Sequence, residues 1–172
     1  HPAVAQSLNN LAVIHDRKRD YTLSQKLHKR ALAIREKCFG EDHPAVTQSL
    51  DNLAAIYRIQ GKIDDAEKLL KKSMGIWEKH YGPDHPAIAQ SCHNLAMLYS
   101  DAGRDEDALK SLLKSKGILE KNEGTDRMHL ATVYETLSGL FSKMGKTAES
   151  KEFAARALRI TKPDLAAGQK VQ

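Results

Sequence analysis

The chain of 172 residues is 41% hydrophobic, 5% aromatic and 28% charged. With Ala, Leu, Lys and Glu plentiful, that composition predicts an all-helical protein long enough to bury a core. The formal charge of +5 is modest and the lysines interleave with Glu and Asp. This is the pattern of a solvated surface, so no nucleic acid is expected as a partner.

The predicted elements follow a fixed step. His1-Pro2, His43-Pro44 and His85-Pro86 lie 42 residues apart, and the same step carries Leu11 to Leu53, Leu95 and Leu137. It also links Ile34, Ile76, Ile118 and Ile160, the glycines Gly61, Gly103 and Gly145, and the glycines Gly40, Gly82 and Gly124. Such periodicity marks a tandem array, with repeats at about 1–42, 43–84, 85–126 and 127–162.

Each repeat reads as two helices. In the first, a helix opens at His1-Pro2 and runs through "AQSLNNLA", and a second starts near Asp20 and ends at "FGED". In the second and third repeats the opening helix follows His43-Pro44 or His85-Pro86. Pro in the first turn loses no hydrogen bond, and Asp42 or Asp84 is expected to cap the free N–H groups. Apolar residues then recur at helical spacing: Leu50, Leu53, Ala54 and Tyr57, then Cys92, Leu95, Ala96 and Tyr99. After a glycine-containing break, second helices start near Asp64 and Asp105. Their buried sides are predicted at Ala66, Leu69, Leu70, Ser73 and Ile76, and at Ala108, Leu112, Ser115 and Ile118. Gly40 and Gly82 are placed to take a left-handed cap. Ala12, Ala54 and Ala96, facing Ala66 and Ala108, allow close helix approach. One hairpin cannot bury both its faces, so neighbouring repeats are expected to stack. The fourth repeat is degenerate: Arg127-Met128 replaces His-Pro, Ser138 replaces Ala, and its second helix starts near Thr147. Pro163 stops the last helix, and 163–172 reads as a flexible tail.

The combination Leu53-Ala54, Tyr57, Gly61 and Ala66 resembles the tetratricopeptide repeat (TPR). The 42-residue period, the "GEDHPAV" and "GPDHPAI" linkers and the "SLNNLA"-type first helices are similar to the TPR domains of kinesin light chains and nephrocystin-type proteins. The resemblance covers residues 1–162. It implies an all-α, right-handed superhelical solenoid of about four helix–turn–helix repeats. The first helices would line a concave wall that grips a peptide segment of a partner, cargo or adaptor.

Helical geometry sorts the residues of that wall. Leu8, Leu11, Ala12 and His15 are expected to point into the hairpin core. Gln6, Asn10, Val13 and Arg17 form a neighbouring stripe, matched by Gln48, Asn52, Ala55 and Ile59, and by Gln90, Asn94, Met97 and Asp101. Asn10, Asn52 and Asn94 hold one repeat position and so form a ladder. The resemblance implies that they bond the main chain of a peptide, and an amide's donor and acceptor match a peptide bond. A ladder that holds inter-repeat packing is the alternative reading. Thr136 takes the position in the fourth repeat and is expected to end the ladder. The drifting neighbours Asn9, Asp51 and His93, together with Asp16, Arg58 and Ser100, are expected to tune peptide preference above an apolar floor of Val13, Ala55 and Met97. Arg17 and Arg58 favour an acidic ligand, while Asp16, Asp51 and Asp101 oppose it. Exposed ion pairs contribute only about 0.2–1 kcal/mol, which leaves ligand charge open.

Nothing in the sequence nominates an enzyme or a cofactor. The eight histidines include His1, His43 and His85 at separate helix starts, where the imidazole is expected to bond backbone. His28 reads as a core-edge residue and Trp77 as packing. No HExxH, CxxC pair or phosphate-binding glycine loop occurs, so no metal is expected. Cys38 and Cys92 are expected as free thiols in a reducing, cytoplasmic setting. No apolar run approaches the roughly 18 residues that span a bilayer, and no signal peptide opens the chain. His1 in place of Met makes the chain an expected piece of something longer. The rival to peptide binding is a structural spacer that sets distance or self-associates through its exposed ends.

Overall fold

A computed structural model describes residues 1–122 and 126–163. Among the described residues eight α-helices follow in order: α1 (Pro2–Arg17), α2 (Tyr21–Phe39), α3 (Thr47–Ile59), α4 (Ile63–Tyr81), α5 (Pro86–Asp101), α6 (Asp105–Lys121), α7 (Arg127–Lys143) and α8 (Thr147–Thr161). A 3-10 turn, Pro44–Val46, precedes α3. No strand occurs among the described residues. Consecutive helices pair as hairpins, and the chain divides into two compact units, His1–Pro83 and Asp84–Gln172. In the first unit α2 packs against α3, and in the second α6 packs against α7. Expectations for Gly124 and for 164–172 lie outside the described residues.

The histidines, and not the linker aspartates, cap α1, α5 and the 3-10 turn that leads into α3. Nδ1 of His1, His43 and His85 accepts from the backbone N–H two residues on, at 3.3, 3.1 and 3.2 Å. Asp42 and Asp84, expected as caps, reach instead to the end of the following hairpin. Lys79 donates to Asp42 at 2.7 Å and Lys121 to Asp84 at 3.0 Å. The two aspartate carbonyls are held as well, by His80 Nε2 at 2.8 Å and Asn122 Nδ2 at 2.9 Å. Where Arg127 replaces the histidine, the equivalent Asp126 becomes the cap and accepts from the His129 N–H at 2.9 Å.

Two turn positions show why glycine recurs. Gly40 and Gly82 have φ of 90° and 83° but ψ of 157° and 169°. This is an extended region open essentially to glycine alone, and not the left-handed helical cap that was expected. Gly61, Gly103 and Gly145 have φ between 71° and 73°, and Arg19 occupies the same repeat position at φ 60°.

The small-residue contacts are present. Ala12, Ala54, Ala96, Ala66 and Ala108 are all buried. In the last hairpin Ser138 and Ser150 occupy these places, and the Ser138 hydroxyl donates to the Ser150 carbonyl at 2.8 Å. Two core assignments need correction. Leu11 is exposed because no hairpin packs over that side of α1, whereas Leu53 and Leu137 are buried. His28 lies fully inside the first hairpin and not at its edge, with Nε2 3.5 Å from Asp16 Oδ2. Its burial, the largest influence, holds its pKa below the usual histidine value. Cys38 is exposed and Cys92 buried, and both are free thiols.

Candidate peptide-binding face

The expected wall is built from one side of α1 and α3 in the first unit and of α5 and α7 in the second. In the first unit Gln6, Asn10, Val13 and Arg17 are exposed on α1, as are Gln48, Ala55 and Ile59 on α3. Asn52 and Arg58 are half-buried. Gln6 Nε2 donates to Asn10 Oδ1 at 3.0 Å, one helical turn on. Gln90 donates to Asn94 in the same way at 2.9 Å on α5. Gln90 and Asp101 are exposed, while Asn94, Met97 and His93 are half-buried.

Asn52 does something different. Its Nδ2 donates to Asn9 Oδ1 at 2.7 Å, which joins α3 to α1. Asn9, expected as an exposed tuning residue, is therefore corrected to an interior one: it is 4% exposed and committed to the neighbouring helix. The second unit repeats the arrangement with other residue types. His93 Nε2 and Thr136 Oγ1 share a hydrogen bond of 3.1 Å between α5 and α7. In both units the drifting position of one repeat bonds the ladder position of the next. A signal for this existed in the sequence, since polar side chains pair at a separation of 43 residues in both cases.

Asp51 is half-buried on α3. Burial pushes its carboxyl up to about 6, with the Ser73 hydroxyl acting in the opposite direction.

One residue of this face was not anticipated. Arg35 of α2 is buried and reaches through to the wall. Its Nη2 donates to Gln6 Oε1 at 2.9 Å and to Gln48 Oε1 at 2.8 Å, and its Nη1 donates to Ser49 at 2.6 Å. These acceptors are neutral, and burial lowers the pKa of the guanidinium. Arg35 thus fixes both glutamines through their carbonyls, while Gln6 still donates to Asn10. The signal in the sequence was a lone basic residue at a position that holds Trp77, Leu119 and Thr161 elsewhere.

Each ladder amide keeps one half unused within this network. Asn10 and Asn94 accept through Oδ1 and leave their NH2 groups out of it, whereas Asn52 donates and leaves its carbonyl out. No group of three or more His, Cys, Asp or Glu suited to a metal occurs among the described residues. No helix there is long and apolar enough to cross a membrane.

The profile described as "Tetratricopeptide repeat" matches residues 3–79, 47–121 and 94–162. The chain belongs to the tetratricopeptide-repeat family. Its TPR fold is shared by solved structures of low identity. BtubC (BKLC) from P. vanneervenii is 20% identical, with a TM-score of 0.83 over 100% of this chain and 67% of that one. Two Podosopora anserina structures, described as a kinesin light chain with nearly identical TPR-like repeats, are also similar. A point variant is 24% identical, with a TM-score of 0.80 over 96% of this chain and 78% of that one. The other is 22% identical, with a TM-score of 0.66 over 98% and 92%. No curated protein matches the chain by sequence. The TPR architecture is a non-enzymatic one of protein interaction and scaffolding.

Proposed function

We propose that the first-helix face of each unit holds a peptide segment of a partner or cargo protein, with Asn10, Asn52 and Asn94 bonding its main chain. The observation that carries this reading is the half-used amide at every ladder position, beside the exposed apolar surface of Val13 and Ile59. A peptide backbone offers both an N–H and a C=O, so it can meet either free half whatever its side chains. Gln48 and Gln90 would support the ladder, and Arg17, Arg58, Asp51 and His93 would set local preference. Asn9 has no place in the contact. The free thiols accord with a cytoplasmic setting.

The test is a pull-down with the 172-residue chain, followed by competition with short peptides taken from whatever binds. Asn10→Ala with Asn94→Ala is expected to abolish capture while the thermal melt stays within about 0.5 kcal/mol of wild type. Undiminished capture by that folded double variant rules the reading out. The second reading, in which the ladder only packs repeats, is favoured at one place by the Asn52–Asn9 bond. Asn52→Ala is accordingly expected to lower stability by about 1–3 kcal/mol, because Asn9 is left buried without its donor.

A further inference from the structure

A side-chain amide has two unlike halves. Turned by half a rotation about its last bond, a glutamine exchanges its carbonyl for its NH2, and in water neither sense is preferred. An exposed amide on a binding face therefore presents a donor or an acceptor according to what holds its other half. Gln48 is exposed on α3, and what holds it comes from α2. Arg35 is 6% exposed, and its Nη2 donates to Gln48 Oε1 at 2.8 Å. A guanidinium carries N–H donors and no acceptor. Only the carbonyl of Gln48 can meet it, so the NH2 is turned away from Arg35.

The guanidinium is itself held in place. The same Nη2 donates to Gln6 Oε1 on α1 at 2.9 Å, and Nη1 donates to Ser49 Oγ on α3 at 2.6 Å. Acceptors on two first helices thus set the plane of a side chain that belongs to a second helix. Stability does not account for this arrangement. Trp77 and Leu119 fill the same repeat position, and replacing buried charged groups by well-packed apolar ones is often neutral or stabilising. The acceptors are all neutral, and burial lowers the guanidinium pKa. One helical turn along α3, about 6 Å, Asn52 has the opposite sense. Its Nδ2 is taken up by Asn9, which leaves its carbonyl out of that bond.

We propose that Arg35 is a positioning residue of the candidate face. It holds Gln48 by the carbonyl and so makes that place on α3 a hydrogen-bond donor, aimed at a carbonyl oxygen of a bound peptide main chain. This rests on the peptide-binding reading above. The cation acts through the amide and touches no ligand itself. Its charge polarises the Gln48 N–H bonds and strengthens them as donors, as members of a hydrogen-bond chain do. With Asn52 offering an acceptor one turn away, α3 meets the C=O and the N–H of a main chain in one fixed order along the helix.

Two measurements on the whole chain test this. NMR relaxation of the Gln48 side-chain NH2, read without ligand, reports how firmly the amide is held. Titration with an uncharged, capped alanine pentapeptide reports main-chain binding. In wild type the NH2 is expected to be ordered and its signal to shift with the peptide. Leucine stands at the counterpart position, Leu119, so Arg35→Leu is expected to fold, and circular dichroism checks it. This variant should release the Gln48 amide and weaken peptide affinity by about tenfold. Arg35→Lys, also a donor without an acceptor, should restore most of both. Gln48→Glu separates positioning from packing, because it keeps an acceptor for Arg35 and loses the NH2. It is expected to melt no lower than wild type yet to lose about tenfold in affinity, and the uncharged probe leaves its new charge nothing to repel. A Gln48 amide that stays ordered in Arg35→Leu overturns the proposal, and so does full affinity in Gln48→Glu. An ordered amide in a wild type that ignores the peptide shows instead that the peptide-binding reading has failed, and the positioning role falls with it.

Discussion

The two units share one backbone plan but fill it with different chemistry. The first buries Asn9, Ser24, His28, Arg35, Thr47, Ser49 and Ser73, whereas the buried polar residues in the described part of the second are Ser91 and Ser115. Counterparts show the exchange directly. Ser24 stands where Ala108 does, His28 where Leu112 does, and Arg35 where Leu119 does. A TPR hairpin therefore accepts polar side chains inside, at a cost that depends on how fully neighbours answer them. Arg35 is answered by Gln6, Gln48 and Ser49. His28 is answered on one side only, because its Nδ1 is buried without a partner, and so is Ser24 Oγ. The second unit gains more from apolar burial and carries fewer such costs.

Four substitutions bear on that contrast. The largest effect is expected from Leu112→Ala in the second unit, a loss of about 2–5 kcal/mol in denaturant unfolding as a core cavity opens. A smaller loss there than at Leu70→Ala in the first unit contradicts the contrast. Asp51→Asn comes next, with an expected gain of about 1–3 kcal/mol at pH 7. The Asp51 carboxyl titrates near 6, above its ordinary 3.8. The folded state therefore holds its proton longer, and stability falls as pH rises through that window. The gain should vanish below about pH 4. His28→Leu should add about 1–2 kcal/mol by removing a half-satisfied polar group. Because burial lowers the pKa of His28, its neutral form favours folding. Wild type loses stability as pH falls below 6.5, and the benefit of leucine should grow in acid melts. Arg19→Gly is the smallest, an expected gain of about 1 kcal/mol from relieving φ 60° at a position where the other repeats hold glycine.

Periodicity made the helices, the hairpins and the Ala12, Ala54 and Ala96 contacts legible in the sequence, because each depends on positions within one repeat. Properties set by the neighbour were harder to read. Leu11 and Leu53 have the same local pattern, and only the helix packed above Leu53 separates their burial. Asn9 and Asn10 sit 100° apart on α1, and helix rotation decides which of them faces α3. The linker cap was ambiguous for another reason. Histidine and aspartate adjoin and both can accept an N–H, and the choice turned on Lys79 and Lys121 claiming the aspartates. Of the candidate face, the amide stripe was visible in the sequence, but its anchorage by Arg35 was not. That contact comes from a second helix, through a residue that does not recur.

The linker ties bear on how the chain is made. Lys79 to Asp42 and Lys121 to Asp84 each close a loop 37 residues long, from the linker before a hairpin to that hairpin's last turn. The bonds between consecutive first helices reach only 43 residues. No contact of either kind waits for a distant part of the sequence, which is the condition for rapid folding. A ribosome that releases the chain from its N-terminus therefore delivers hairpins that can lock one after another. Each becomes the template on which the next first helix condenses.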